Sequence, residues 1–279
     1  MEGIQHNRLK KRKLKKTFNI LLVFFMILSS FLILYQFMKS PSPSQKVQGD
    51  PLEKNIENNL SQKENKIEKK VQSKQNQKVV YLTFDDGPSI WTKGFLDVLK
   101  EYGIKGTFFM QGAHLEHAAY QADVKRATEE GNYVGAHSMT HDNTKLYKNK
   151  QFVPEMKETL QLIHDITGTS PQLVRPPYGS IPGLKDNAIL QQLIEEEIKV
   201  WDWTIESLDW KYQNDPKRIM KNIEDGTKNN IEVVLLHEKE ATLKLLPEII
   251  TFFKNEGYSF GVYSDDAHFP CNFLSNNQL

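Results

Sequence analysis

Beyond Lys78 the chain alternates short, dense apolar runs with longer stretches in which apolar residues return at helical spacing. The runs fall at 79–84, 106–110, 133–136, 173–175, 199–203, 232–236 and 258–262, and they predict strands. Between them, 91–102, 153–167, 184–197 and 242–255 have the spacing of helices. Strands that alternate with helices pair in parallel and carry the helices outside the sheet. The pattern therefore predicts an α/β fold, a distorted or incomplete (β/α) barrel of about seven parallel strands. An open doubly wound sheet satisfies the same alternation, because counting strands does not decide closure.

The N-terminal part follows different rules. From Phe18 to Met38 the chain is almost wholly apolar on every face and carries no charge. At ~1.5 Å per residue such a run is long enough to cross a bilayer as one helix. Lys10, Lys11, Arg12, Lys13, Lys15 and Lys16 precede it. A basic block beside a spanning helix stays on the cytoplasmic side, so the rest of the chain is expected outside the cell membrane. A cleaved signal peptide is the competing reading, but the run is long for a signal core and lacks a small-residue cleavage site. Residues 39–77 are poor in aromatics and dense in Lys, Glu, Asn, Gln and Ser, which predicts a disordered tether. Its reach is roughly 35 Å as a flexible coil and on the order of 130 Å fully extended. The expected organisation is a cytoplasmic segment at 1–17, an anchor at 18–38, the tether, a catalytic domain at 78–265 and a C-terminal tail at 266–279.

Composition narrows the function only a little. The 279 residues carry a formal net charge of +1, so the global balance points to no nucleic-acid partner. The single cysteine, Cys271, excludes an intramolecular disulfide framework and a thiolate metal cluster within one chain.

The candidate chemistry lies in polar clusters that end the predicted strands, where a (β/α) barrel gathers its reactive groups. Asp85-Asp86-Gly87-Pro88 follows the first strand; adjacent carboxylates can divide metal binding from acid–base work, although Asp-Gly-Pro alone is also an ordinary turn. His137 and His141 follow the third strand, and imidazoles four residues apart can face one point on a helical turn and bind a divalent ion. With Asp86 they would complete a site of two histidines and one carboxylate, open to water and substrate. Arg175-Pro176-Pro177-Tyr178-Gly179 follows the fourth strand, a stiff loop whose arginine can pair with a buried carboxylate such as Asp85. Between Trp201 and Trp210 three tryptophans accompany Glu206 and Asp209, a composition that lines a sugar groove or packs a core. His237 ends an apolar strand, as a core histidine or as a general acid on the same rim.

Taken together, these residues resemble the NodB-homology polysaccharide deacetylases, carbohydrate esterase family 4, over about 78–262. The resemblance implies a distorted (β/α) barrel that removes N-acetyl groups from an amino-sugar polymer, and for an anchored chain that polymer is expected to be peptidoglycan. It implies Asp85 as general base, His237 as general acid, and Asp86, His137 and His141 as ligands of one divalent ion, zinc by default, with Co2+, Ni2+ or Mn2+ as substitutes. By the same resemblance Arg175 orients Asp85, Asp209 tunes His237, the Tyr178 amide donates to the oxyanion, and Pro177 and Trp210 contribute to substrate binding. Glu206 departs from the aspartate common in the family's Asp-x-x-Asp-Trp segment. His114, His117, His164 and His268 match no family position. Chitooligosaccharide or exopolysaccharide deacetylation, acetylxylan esterase activity, and a wall-binding module without catalysis are the alternatives.

Overall fold

The computed structural model describes residues 77–279. The apolar run at 18–38, the basic block before it and the tether up to residue 76 lie outside the described residues. Among the described residues no helix is long and apolar enough to cross a membrane.

The strands are β1 (Val79–Gly87), β2 (Thr107–Met110), β3 (Tyr133–Ala136), β4 (Leu173–Val174), β5 (Lys199–Val200), β6 (Ile205–Glu206), β7 (Ile231–His237) and β8 (Ser259–Gly261). The helices are α1 (Thr92–Glu101), α2 (Gly112–Leu115), α3 (Ala118–Glu129), α4 (Phe152–Thr167), α5 (Asn187–Glu195), α6 (Pro216–Gly226) and α7 (Glu240–Asn255). Every strand pairing is parallel, in the order β5-β4-β3-β2-β1-β7-β6, with β8 beside the first half of β1. The four helices expected from spacing are present. Helix α3 escapes a periodicity reading because only Val124 and Ala127 of its length are buried.

The expected strand at 199–203 is split, and the split explains the barrel's shape. Trp201 still donates its N–H to Val174 of β4 at 3.1 Å, whereas Thr204 donates to Val233 of β7 at 2.9 Å. One continuous segment therefore forms both edges of the sheet, β5 on one side and β6 on the other. A sheet whose edges are successive pieces of a single extended segment must curl back on itself, which gives a barrel interrupted at 201–204.

Strand alternation sorts the side chains into two cores. In β1, Val80, Leu82 and Phe84 point outward and join the large core beneath the helices. Tyr81 points inward, against a smaller core of Phe109, Leu173, Trp201, Val233 and Tyr263 that fills the barrel. Thr83 and Asp85 share the inward parity of Tyr81. The same parity carries inward from Phe109 in β2, from Leu173 to Arg175 after β4, and from Val233 through Leu235 to His237 in β7. The barrel's interior thus changes from apolar to reactive on moving toward the C-terminal ends of its strands.

Residues 266–279 lie against the interruption. Cys271 forms a parallel bridge with Trp201 and its carbonyl accepts the Asp202 N–H at 2.6 Å. The Trp201 indole donates to the Phe269 carbonyl at 2.9 Å, and Leu279 is fully buried.

Candidate active site and metal centre

Asp85 ends the inward row of β1 and is buried, so its charge requires a partner. Arg175, fully buried, supplies it with an Nη1 contact of 2.9 Å to Oδ1. The same Nη1 donates to Thr83 Oγ1 at 2.5 Å, Nη2 to the Asp202 carbonyl at 2.7 Å and Nε to the Trp201 carbonyl at 3.2 Å. The guanidinium also lies over the Phe109 ring, 4.2 Å from its centre. It is thereby fixed between β1, β2 and the interrupted strand, leaving Asp85 Oδ2 facing the cleft region near His137 Nε2 at 3.8 Å.

By alternation Asp86 should face the outer core, yet it turns into the site. Its φ of 68° breaks the pleat, a left-handed conformation that aspartate tolerates better than most residues. Gln111 donates to Asp86 Oδ1 at 2.7 Å and His114 Nδ1 lies 3.0 Å from the Asp86 carbonyl, so both fix this turn. Neither residue was assigned a role from the sequence, and a lone amide or imidazole in a loop gives no signal that would assign one.

His137 and His141 do converge with Asp86, although not on a helical turn. The segment after β3 is a loop in which Ser138 and His141 have φ of 64° and 54°. Ser138 Oγ accepts the His141 N–H at 2.9 Å, and Glu155 accepts the N–H and hydroxyl of Thr140 at 2.9 Å each. This loop brings the two Nε2 atoms each to 3.8 Å from Asp86 Oδ1. One ligand atom from each of the three residues lies within 4.8 Å of the others. An ion held at about 2.0–2.2 Å by each donor needs separations of this order. His137 Nδ1 lies 2.8 Å from the Arg175 carbonyl, which can only accept, so Nδ1 carries the proton and Nε2 presents its lone pair to the centre. The donor set therefore fits a divalent cation.

His237 ends β7 across the cleft. Asp209 accepts from its Nδ1 at 2.6 Å and from its backbone N–H at 2.7 Å, while Thr242 donates to the same carboxylate at 2.6 Å. Burial alone would lower the imidazole pKa, but the hydrogen bond and charge of Asp209, with Asp85 and Asp86 nearby, overcome it and push the value up to about 9. Burial works against the charge of Asp86 too, and the three surrounding imidazoles and Gln111 nonetheless hold its carboxyl below the usual range. Burial and the neighbouring His137 lower His141, which keeps its ring neutral and able to ligate.

These groups open into a cleft of about 460 Å3 whose walls include Tyr178, Trp203, Glu206 and Trp210. Trp201 is core, so the tryptophan cluster divides between packing and groove. Tyr178 sits in a left-handed turn, φ 67°, and its amide N–H meets no acceptor among the described residues. Its hydroxyl donates to the His141 carbonyl at 2.9 Å. Pro177 does not face the groove as expected: it is buried with its carbonyl accepting the Tyr147 hydroxyl at 2.6 Å, and Pro176 lines the cleft instead.

An interrupted parallel α/β barrel with two imidazoles and a carboxylate gathered at its C-terminal rim defines a class of rim-active barrel proteins. Comparison with known proteins makes this specific. The chain belongs to the polysaccharide deacetylase family, whose pattern it matches over residues 72–201. It is 44% identical over 208 residues to a peptidoglycan-N-acetylglucosamine deacetylase of Bacillus cereus, covering 72% of this chain and 75% of that protein. The peptidoglycan-N-acetylglucosamine deacetylase PgdA of Listeria monocytogenes is 33% identical over 201 residues, which are 70% of this chain and 40% of PgdA. The crystal structure of a polysaccharide deacetylase from Bacillus cereus superposes with a TM-score of 0.70 at 44% identity, covering 73% of this chain and all of that one, 100%.

Proposed function

We propose that this protein is a metal-dependent N-deacetylase of the cell-wall polysaccharide, removing acetyl groups from the N-acetylglucosamine of peptidoglycan. The observation that carries the reading is the convergence of Asp86, His137 and His141 within 4.8 Å of one another, beside a buried aspartate and a histidine whose Nδ1 is hydrogen-bonded to Asp209. The names of the similar proteins from Bacillus cereus and Listeria monocytogenes support the choice of polymer and sugar.

Asp86, His137 and His141 would hold the ion, zinc by default. A divalent cation there would supply Lewis acidity, which lowers the pKa of water toward about 7. Asp85, with Oδ1 committed to Arg175, has Oδ2 free to take the proton of the attacking water. The Tyr178 amide donates to the acetyl oxygen as it becomes negative, a contribution of about 3–4 kcal/mol for one such donor. His237 carries the proton that the departing sugar nitrogen needs, and Asp209 holds its ring in position through Nδ1. Trp210 flanks the bound sugar.

The sequence further supports residues 18–38 as a membrane anchor and 39–77 as a tether, with the barrel outside the cell. External protease treatment of whole cells should then release the barrel, while an intact membrane with no accessible barrel would overturn this placement. Function is tested by acetate release from N-acetylglucosamine polymers and from wall sacculi. Release that stops with chelator and returns with Zn2+ is expected. A purified, folded protein that releases no acetate with any divalent ion would refute the reading.

A further inference from the structure

The C-terminal tail passes beside a wall of the cleft before its last residue, Leu279, is buried in the large core. Its bridge to the interrupted strand is parallel, with Cys271 opposite Trp201. A parallel register carried two residues further places Phe273 beside Trp203, at the rim that holds the chemistry. The rings meet edge to face at 5.1 Å, and Trp203 itself lines the cleft.

This aromatic pair is rigidly held. Asp202 accepts the Phe273 N–H at 2.6 Å and, from the site loop, the Ser180 N–H at 2.8 Å and hydroxyl at 2.5 Å. Gly179, at φ +80°, lets the backbone lie against both rings: a Cβ there would be 3.1 Å from Phe273 and 3.3 Å from Trp203. Despite these ties Phe273 keeps 43% of its surface exposed, among the largest exposures of any bulky apolar side chain in the described residues. Asp202 holds the Phe273 backbone, and the ring stays uncovered beside Trp203, which leaves an apolar face open along the cleft wall.

We infer that Phe273 and Trp203 form a second sugar subsite, which stacks the hexosamine next to the one whose acetyl group is removed. The occupant follows from continuity. A polysaccharide strand seated in the cleft must leave it along a wall, and pyranose rings present apolar C–H faces that pack on aromatic rings. The subsite rests on the deacetylase reading for its substrate class, and it is read separately by binding.

The test compares the full chain, solubilised in detergent, with Phe273→Ala and Phe273→Tyr for calorimetric binding of the N-acetylglucosamine monomer and pentamer. Acetate release from both is followed in parallel. Phe273→Ala is expected to weaken the pentamer about tenfold, ~1.4 kcal/mol, and to leave the monomer unchanged, while Phe273→Tyr keeps pentamer affinity. Equal losses for monomer and pentamer would reduce Phe273 to a structural residue and overturn the subsite. So would unchanged binding of both, or a wild-type chain that binds neither. A length-dependent loss in a protein that releases no acetate would uphold the subsite and refute hydrolysis instead.

Discussion

Asp85 and Asp86 are neighbours in sequence, yet their surroundings assign them separate chemistry. Asp85 continues the inward row of β1 and has one oxygen locked to Arg175; Asp86 leaves the row through its φ of 68° and faces two imidazoles. Substitutions should separate the two. His141→Ala and Asp86→Ala are expected to lose bound metal and activity together, measured by elemental analysis and acetate release. Asp85→Asn should keep the metal and lower kcat by about 10²–10⁴-fold, the range for removing a general base. His237 predicts the alkaline limb of the pH profile. Its pKa is raised to about 9, so the proton it donates is present below that value and is lost as pH rises through it. Weakening the Asp209 partner with Asp209→Asn should move this limb toward the ordinary histidine range near 6.5. A limb that does not move would remove Asp209 from its positioning role. The reactive types were legible in sequence because they terminate apolar runs. Gln111 and His114 were not, since their contribution depends on a backbone turn at another residue.

At the level of elements, the end of β1 is constrained by its neighbour β7. A Cβ on Gly87 would fall 2.0 Å from Glu238 Oε1. Glu238 is buried, and its Oε2 accepts hydrogen bonds from Ser89 at 2.8 Å and from Thr92, so moving Oε1 out of the way would strain that anchor. Gly87→Ala should therefore displace the Asp85-Asp86 tip. A loss of about 1–3 kcal/mol, as overpacking costs, is expected in chemical denaturation, together with weakened metal retention. Gly87 closes strand β1 and is not part of the turn that Asp-Gly-Pro alone would allow, and the reason for the glycine is the carboxylate packed against it. A similar distinction applies to His137 and His141. Their spacing suggested a helical turn, and the loop reaches the same convergence through left-handed residues at 138 and 141, which no periodicity reveals. The strand at 199–203 was legible as one run because its composition is continuous; its division between β4 and β7 arises from closing the barrel.

Across the whole molecule, the alternation of runs predicted an α/β barrel because parallel strands buried on both faces leave that signature. The part of the sequence reading that periodicity could not reach is the packing of 266–279. That segment has neither strand nor helix spacing, yet Leu279 is fully buried and Phe269, Cys271 and Phe273 are hydrogen-bonded to the interrupted strand or to Asp202. Deleting 269–279 should uncover Trp201 and leave Asp202 without one of its donors. For a domain of this size, a loss of several kcal/mol lowers Tm on the order of 10 °C, which calorimetry would register. An unchanged Tm would show that the segment is dispensable to the barrel.

The guanidinium of Arg175 sits where the first strand, the reactive aspartate and the broken strand meet, so the protein has no way to loosen its working carboxylate while keeping its wall shut. Chaotrope titration should erase turnover and the near-ultraviolet signal of the interior tryptophan at a shared midpoint. Wear on this enzyme would then show as fewer competent molecules, each working at full speed.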